Sequence, residues 1–283
     1  MTIQSITTQR CYLIAELGAN HQGSLVAALQ MVDVAAEVGI DACKGQKRDT
    51  ARMSGRDRPY DGPQSFGKTY GEHRDALELD ITEHATIMKH AQALGLDYGL
   101  SVWDRVSAEE ARAISVAWIK IPSACLTDHD LLRLVASYRM PLILSSGMST
   151  SEEILHAAAI VADCGWWALL QCTSAYPCPV NAVDLHVMRT LRFNTDADCI
   201  GVSGHWNGIA IASAAVALGA RIIERHVTLD RTLRGTDHAA ALEPVGQRIW
   251  ARDVRTIEQA LGQAAKRVHP CEEAARRKLR EMK

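Results

Sequence analysis

The 283-residue sequence has no excess of either charge: 31 Lys and Arg stand against 33 Asp and Glu, a net charge of −2. That balance gives no reason to expect a nucleic-acid partner or an anionic membrane surface. No apolar stretch reaches the ~18 residues a membrane span needs. The opening MTIQSITTQRCYLIAELG lacks the basic-then-apolar pattern of a secretory leader. A soluble, cytoplasmic protein is the expectation. No two of the cysteines Cys11, Cys43, Cys125, Cys164, Cys172, Cys178, Cys199 and Cys271 form a C-x-x-C pair. Several sit inside apolar runs, as in DACKG and LLQCTS, where a free thiol behaves as a small hydrophobe. Their scatter argues against both a disulfide framework and a zinc knuckle. Repeats, low-complexity tracts and signs of a second domain are absent too.

What the sequence does contain is a repeated alternation. Hydrophobic residues make up 47%, enough for one large core. They gather in short runs: CYLIAELG, ACKGQK, YGLSVW, WIKIPS, PLILSSG, ALLQCTS, CIGVSGH and IIERHVT. Near-continuous apolar character is the mark of strands buried on both faces, as in a parallel sheet. Helical patterns lie between them. In SLVAALQMVDVAAEVG, Ser24 can cap, Leu25, Leu29, Val32 and Ala36 share one face, and Gly39 can close in the left-handed conformation. Strand–helix units in this number and order predict an α/β fold of the (β/α)8 TIM-barrel type over residues 1–268. A doubly wound sheet would carry a Gly-rich phosphate loop after its first strand, and ELGANHQGS does not fit one. Residues 47–80 lack periodicity and read as a long structureless loop, rich in Arg, Lys and Gly, over the barrel mouth, where such insertions are usually functional. Residues 269–283 read as a charged tail, a short exposed helix or frayed end.

Barrel active sites lie at the C-terminal ends of the strands, and there the polar residues collect. Run one ends in Glu16, with Asn20 and His21 beyond; run two gives Lys44 and Gln46; run three Ser101; run four Lys120 and Ser123. Run five gives Ser145 and Ser146, run six Thr173, Ser174 and Tyr176, run seven Ser203 and His205, run eight His226, with Asp237 and His238 following. An ammonium inside an apolar run is expensive unless it faces an anion. One such lysine would be read as a buried stem with a solvated head; two among several hydroxyls suggest a phosphate-and-carboxylate pocket. Either histidine alone would be a hydrogen-bonded barrel residue. On adjacent strands, however, His205 and His226 become neighbours, and with Glu16 and Asp237 nearby they make an N/O site suited to a divalent first-row metal. His84, His90, His129, His156 and His186 fall in helical stretches as solvated or structural residues.

The same residues carry a family resemblance. IAELGANHQGS, DACKGQKRDT, IKIPSACLTDHDLL, PLILSSGMSTSEEI, LLQCTSAYPCPV, IGVSGHWNGIA and ALGARIIERHVTLDRTLRGTDHAAALEP resemble, in order, the sialic acid synthase (N-acetylneuraminate synthase) family, from about Tyr12 to Pro244. The resemblance implies a (β/α)8 barrel that condenses phosphoenolpyruvate (PEP) with an aldose such as N-acetylmannosamine. The products are a 3-deoxy-2-ulosonic acid and phosphate, and a divalent metal is required, Mn2+ foremost, with Mg2+ or Co2+ as alternatives. It implies PEP contacts from Lys44, Ser101, Lys120, Ser123, Ser145 and Ser203, with Ser174 beside them, and metal ligands at His205 and His226. It puts Glu16, Gln46, Tyr176 and Asp237 around the sugar and the metal, with Glu16, Lys44, Lys120 and Asp237 as catalytic candidates. A homodimer is the assembly it suggests.

Three departures bear on the acceptor. The family commonly adds a C-terminal antifreeze-like domain that contributes an arginine to the acceptor's N-acetyl group, and this sequence reaches RRKLREMK where that domain would begin. The usual S-D-H is Ser203-Gly204-His205, so an acid beside the metal ligand is missing and Trp206 follows; that pair is the first place to look for a changed acceptor preference. The usual H-C-T is Gln171-Cys172-Thr173. Two other readings stay open: a 3-deoxy-ulosonate synthase for a phosphorylated or unbranched aldose, which the basic loop with Arg48, Arg52, Arg56, Arg58 and Lys68 would suit, and a catalytically silent sugar-binding barrel.

Overall fold

Each apolar run forms a strand, and the strands pair in parallel, in chain order, into a closed eight-stranded barrel. The computed structural model describes residues 2–280. The strands are β1 (Tyr12–Glu16), β2 (Ala42–Lys47), β3 (Asp97–Val102), β4 (Trp118–Ile121), β5 (Leu142–Ser145), β6 (Trp167–Cys172), β7 (Cys199–Gly204) and β8 (Ile222–His226). Every strand residue except Gln46 and Asp97 is buried. Inward side chains fill the barrel and outward ones meet the helices, which is why no polar alternation shows in the sequence.

The helices are α1 (Ile3–Gln9), α2 (Leu25–Glu37), α3 (Tyr70–Asp75), α4 (Ile81–Ala93), α5 (Arg105–Ala113), α6 (His129–Ser137), α7 (Ser151–Val161), α8 (Val187–Asn194), α9 (Ala210–Ala217), α10 (Pro244–Leu261) and α11 (Glu273–Arg280). Ser24 caps α2 through the Ala27 amide, and Gly39 takes φ +78° just past its end, both as the sequence predicts. The face that α2 buries is rotated from the expected one. Ala28, Met31, Val32 and Ala35 lie innermost, with Leu25, Leu29 and Ala36 at their flanks. Alanines let the helix approach the barrel closely, so the leucines pack at the edges rather than beneath.

Two elements depart from expectation. The first is α1, which the sequence pattern does not announce. Ile3 and Ile6 join Tyr12, Ile14, Trp118, Ile143 and Ile222 in the cluster that fills the barrel interior, so α1 closes the N-terminal end. The second is the loop of residues 47–80, which is folded rather than structureless. A 3-10 turn at Thr50–Arg52, an antiparallel bridge between Pro59 and Thr69, and α3 lie within it. Thr69 and Glu72 form a capping box at the start of α3. Polar caps, not an apolar period, specify such short pieces, so period counting passes over them. All described cysteines are free, and all but Cys271 are buried. No described helix is long and apolar enough to cross a membrane, and α11 has no buried residue.

His84 on α4 is buried, with Nδ1 2.8 Å from the Tyr98 hydroxyl. Burial pushes its imidazole down to about 3. As pH falls through the ordinary histidine range, the unfolded chain therefore binds a proton that the folded chain refuses. Stability should fall from about pH 6.5 downward, by up to about 1.4 kcal/mol per pH unit for this one group. Urea unfolding of His84→Gln between pH 6 and 4.5 should show a slope shallower by about that amount. An unchanged slope would mean that His84 is protonated in the folded protein.

Candidate active site

Inside the C-terminal end of the barrel, the strand register sets two lysines against two carboxylates. Glu16 and Lys44 are aligned on β1 and β2, and Glu16 and His226 on β1 and β8. Lys44 pairs with Glu16 and lies 3.8 Å from Glu224. Lys120 lies 2.6 Å from the same Glu224 oxygen. Hydroxyls complete the cluster: Ser101 accepts from Lys44 at 2.6 Å, and Ser203 donates to Glu224 at 3.1 Å and lies 3.5 Å from Lys120. Gln46 donates to Glu16 at 2.7 Å. Burial alone would raise the Glu224 carboxyl. The Lys120 and Lys44 charges and the Lys120 hydrogen bond outweigh it and hold Glu224 well below the usual carboxylate range. Burial pushes the Lys120 ammonium down, against the pull of Glu224. Burial and pairing thus act in opposite directions on both groups, and for Glu224 the pairing prevails.

Glu224 was not among the residues picked from the sequence, although a signal for it exists. It sits two positions before His226, and a strand alternates faces every residue, so the two must point inward together. A carboxylate inside IIERHVT needs a buried partner as much as a lysine inside DACKG does.

The imidazoles stand beside this cluster. The register pairs Ser203 with Glu224 and Gly204 with Arg225, bringing the His205 and His226 ring centroids to 5.4 Å. Tyr176 lies against both, 3.9 Å from the His205 ring and 5.8 Å from that of His226. His205 Nδ1 donates to the Thr173 carbonyl at 3.0 Å, which leaves the Nε2 lone pair free. Burial pushes His205 down to about 3, with His226 adding to the shift, so it is neutral at neutral pH. His226 Nδ1 is buried with no hydrogen-bond partner, and the Asp237 carboxylate lies 3.6 Å from it. Two imidazole nitrogens with a nearby carboxylate suit a divalent first-row ion. Among the described residues, no three His, Cys, Asp or Glu side chains are drawn together as a complete ligand set.

One cavity of about 220 Å³ joins the two groups. Glu16, Lys44, Gln46, Ser101, Lys120, Ser123, Ser145, Ser174, Tyr176, Ser203, His205 and His226 all line it, as do Glu224, Trp103 and Cys172. Among the sequence candidates, Asp237 stands behind His226 rather than on the wall. Ser145 Oγ and Glu224 Oε2 are buried with no partner on the protein.

The Gly204–Trp206 pair has a different role from the one expected. Trp206 is buried and is not among the residues lining this cavity. A Cβ on Gly204 would collide with the Trp206 ring, so the ring occupies the space an acidic side chain would need. Arg225, fully buried, lies 4.7 Å from the centre of that ring. It donates to the carbonyls of Trp206 and Gly208 at 2.7 Å each and of Ala240 at 3.2 Å. It thereby ties the loop that follows β7 to the one that follows β8.

A closed (β/α)8 barrel with ionisable groups gathered at the strand C-termini is the architecture of a barrel enzyme. The chain belongs to the NeuB family, whose model matches residues 31–266, and it is an enzyme of the sialic acid synthase type. Human N-acetylneuraminate-9-phosphate synthase is 38% identical over 273 residues, covering 95% of this chain and 76% of that protein. The N,N'-diacetyllegionaminic acid synthase of Campylobacter jejuni is 32% identical, over 94% of this chain and 81% of its own length. The solved N-acetylneuraminic acid (sialic acid) synthetase of Leptospira borgpetersenii superposes with a TM-score of 0.83 at 29% identity, covering 96% of this chain and 93% of that one. A truncated 3-deoxy-D-arabino-heptulosonate 7-phosphate synthase from Thermotoga maritima has a TM-score of 0.68 at 18% identity, over 90% of this chain and 88% of that one. It shares the fold alone.

Glu224→Leu strands two buried ammonium groups against one remaining carboxylate, which should cost about 3–5 kcal/mol of stability. The double variant Lys120→Met/Glu224→Leu should recover most of that loss, because uncharged residues of similar volume often match a buried pair. Urea titrations of the three proteins decide this. A double variant no more stable than Glu224→Leu would show that the two charges are not energetically paired.

Proposed function

We propose that this chain condenses PEP with an aldose to give a 3-deoxy-2-ulosonic acid of the sialic-acid kind and inorganic phosphate, with a divalent metal, Mn2+ foremost. The observation that carries the reading is the pairing of Lys44 and Lys120, both buried, with Ser101 and Ser203 in one cavity with the imidazoles. PEP presents a phosphate and a carboxylate at neighbouring atoms. Two fixed ammonium groups among hydroxyl donors match that arrangement, with Ser123, Ser145 and Ser174 as further donors on the wall.

In the step we infer, PEP C3 bonds to the aldehyde carbon of the acceptor and the carbonyl π pair moves to oxygen, which takes up a proton. Water then adds to C2, the bond from C2 to the phosphate oxygen breaks, and the C2 ketone forms as phosphate leaves. Glu16, held by Lys44 and by the Gln46 amide, would orient that water and accept its proton. Lys120 and Ser203 hold the developing phosphate. Tyr176 covers the imidazole end of the cavity. The two lysines and two carboxylates sum to zero charge, so they alone do not favour a multiply charged anion. A divalent ion held by His205 and His226, with Asp237 behind, would make the site net positive and polarise the acceptor's carbonyl as a Lewis acid.

The test is phosphate release with PEP and a panel of aldoses, with the mass of each product. The expected mass is PEP plus aldose plus water minus phosphate. No release with any aldose would leave a sugar-binding barrel without this activity. With 18O in the bridging oxygen of PEP, the label should leave with phosphate; label retained in the ulosonate would exclude C–O cleavage. Chelation should abolish turnover and added Mn2+ restore it. His205→Ala should cost at least about 10-fold in activity or metal affinity, a scale seen even for groups one shell further out. Full metal-dependent turnover by that variant would remove His205 from the ligand set. Among the relatives, one is named for a 9-phosphate and another for an acid without one, so family membership leaves the acceptor's phosphate open.

A further inference from the structure

The loop of residues 47–80 and the one after β8 contain arginines that, among the described residues, have no ion-pair partner. Arg48 is 5% exposed. Its Nη2 donates to Gln46 Oε1 at 2.6 Å, its guanidinium lies 4.1 Å over the Trp103 ring, and its Nε has no partner. The adjacent carboxylate, Glu78, is taken up by Lys47 at 3.1 Å and by the Arg48 backbone amide at 2.8 Å. Arg225 is also buried and its Nε is likewise unpartnered, but its Nη atoms donate to three backbone carbonyls. Arg48 has no such set.

Two further arginines face the same place. Arg74 on α3 donates from Nε to the Tyr70 hydroxyl at 3.0 Å, and Arg234, in the loop after β8, lies 4.9 Å over the Phe66 ring. Among the described residues neither forms an ion pair, whereas Arg52 and Arg56 of the same loop pair with Asp49 and Asp75. The three charges converge on buried His73 and, together with its burial, hold that imidazole down to about 4. Arg74 also acts on Asp237, the residue behind His226. Gln46 and Trp103, which Arg48 contacts, line the main cavity. These arginines thus border the cavity beside β2, β3 and the loop after β8. Arginine forks held flat on aromatic faces are preorganised for bidentate contacts with a dianion.

We propose that Arg48, Arg74 and Arg234 form a subsite for a phosphate monoester on the acceptor, so that the second substrate is an aldose phosphate rather than a neutral aldose. This rests on the PEP-condensing reading above and concerns its other substrate.

The experiment compares wild type, Arg74→Gln, Arg234→Gln, Arg48→Gln and Arg48→Lys with N-acetylmannosamine and mannose and with their 6-phosphates, in the presence of PEP. Wild type should prefer the phosphates by about 10- to 100-fold in kcat/KM, the range expected for charge-assisted hydrogen bonds. Each Gln variant should lose most of that preference through KM for the phosphorylated sugar. In Arg74→Gln and Arg234→Gln, turnover of the neutral sugar and KM for PEP should stay within about twofold, and Arg48→Lys should recover part of the loss seen in Arg48→Gln. The proposal is overturned if wild type prefers the neutral sugars. It is also overturned if the variants raise KM for PEP equally with either acceptor, which would assign the arginines to PEP. Arg74 and Arg234 lie on the surface side of the cluster, so their variants decide the matter even if Arg48→Gln fails to fold. Absence of turnover with every acceptor would overturn the condensation reading instead. Calorimetric titration with PEP present would then still judge the subsite, which requires tighter binding of mannose 6-phosphate than of mannose.

Discussion

Four charges buried in the interior of the barrel set the terms for everything around them. Lys44, Lys120, Glu16 and Glu224 come from β2, β4, β1 and β8, so no local segment can satisfy them all. Glu16 meets Lys44 on the neighbouring strand, but Glu224 reaches Lys44 and Lys120 only in the closed barrel, and removing one charge leaves the others stranded in a low dielectric. Closure therefore creates the site, and the site in turn requires closure. The cluster is also neutral as a whole, which makes it tolerable inside a core and unselective until further charge is added at one side. Imidazoles line the cavity, and arginines without ion-pair partners border it. The barrel interior thus provides a polar but balanced floor on which the rim can impose charge.

The fold was legible because strands buried on both faces cannot be anything but apolar, and ACKGQK corresponds residue for residue to β2. The positions of the hydroxyls, lysines and histidines were legible for a related reason: in a continuous apolar run, a polar residue is conspicuous. Glu224 was equally conspicuous, but became meaningful only once the inward period from His226 was applied. What the sequence does not show is anything whose partner lies in another loop. Arg225 finds its acceptors on backbone carbonyls of Trp206, Gly208 and Ala240, which have no signature in side-chain chemistry. The helices α1 and α3 are too short to carry a period, and docking or a polar cap fixes them instead.

The loop of residues 47–80 shows the same limit from the other side. Its composition shows many basic residues and as many carboxylates, but not which of them pair. The structure separates them: Arg52 and Arg56 are paired within the loop, while Arg48 and Arg74 are left without carboxylates beside the cavity. Trp206, which the motif comparison placed near the acceptor, is instead a buried ring packed against Arg225. A residue next to a site in sequence faces away from it whenever the strand alternates, and here Gly204 and Trp206 take the outward positions.

Barrel enzymes are commonly regarded as modular, with each strand's trailing loop free to vary over a constant frame. Arg225 withdraws that freedom from two of the eight. By holding the segment after β7 and the segment after β8 with one side chain, it makes them a single unit of variation. An insertion in either one would loosen the grip on both, and with it the spacing of His205 and His226. Transplanting a new specificity onto this part of the scaffold should therefore exchange the last two loops together with their arginine.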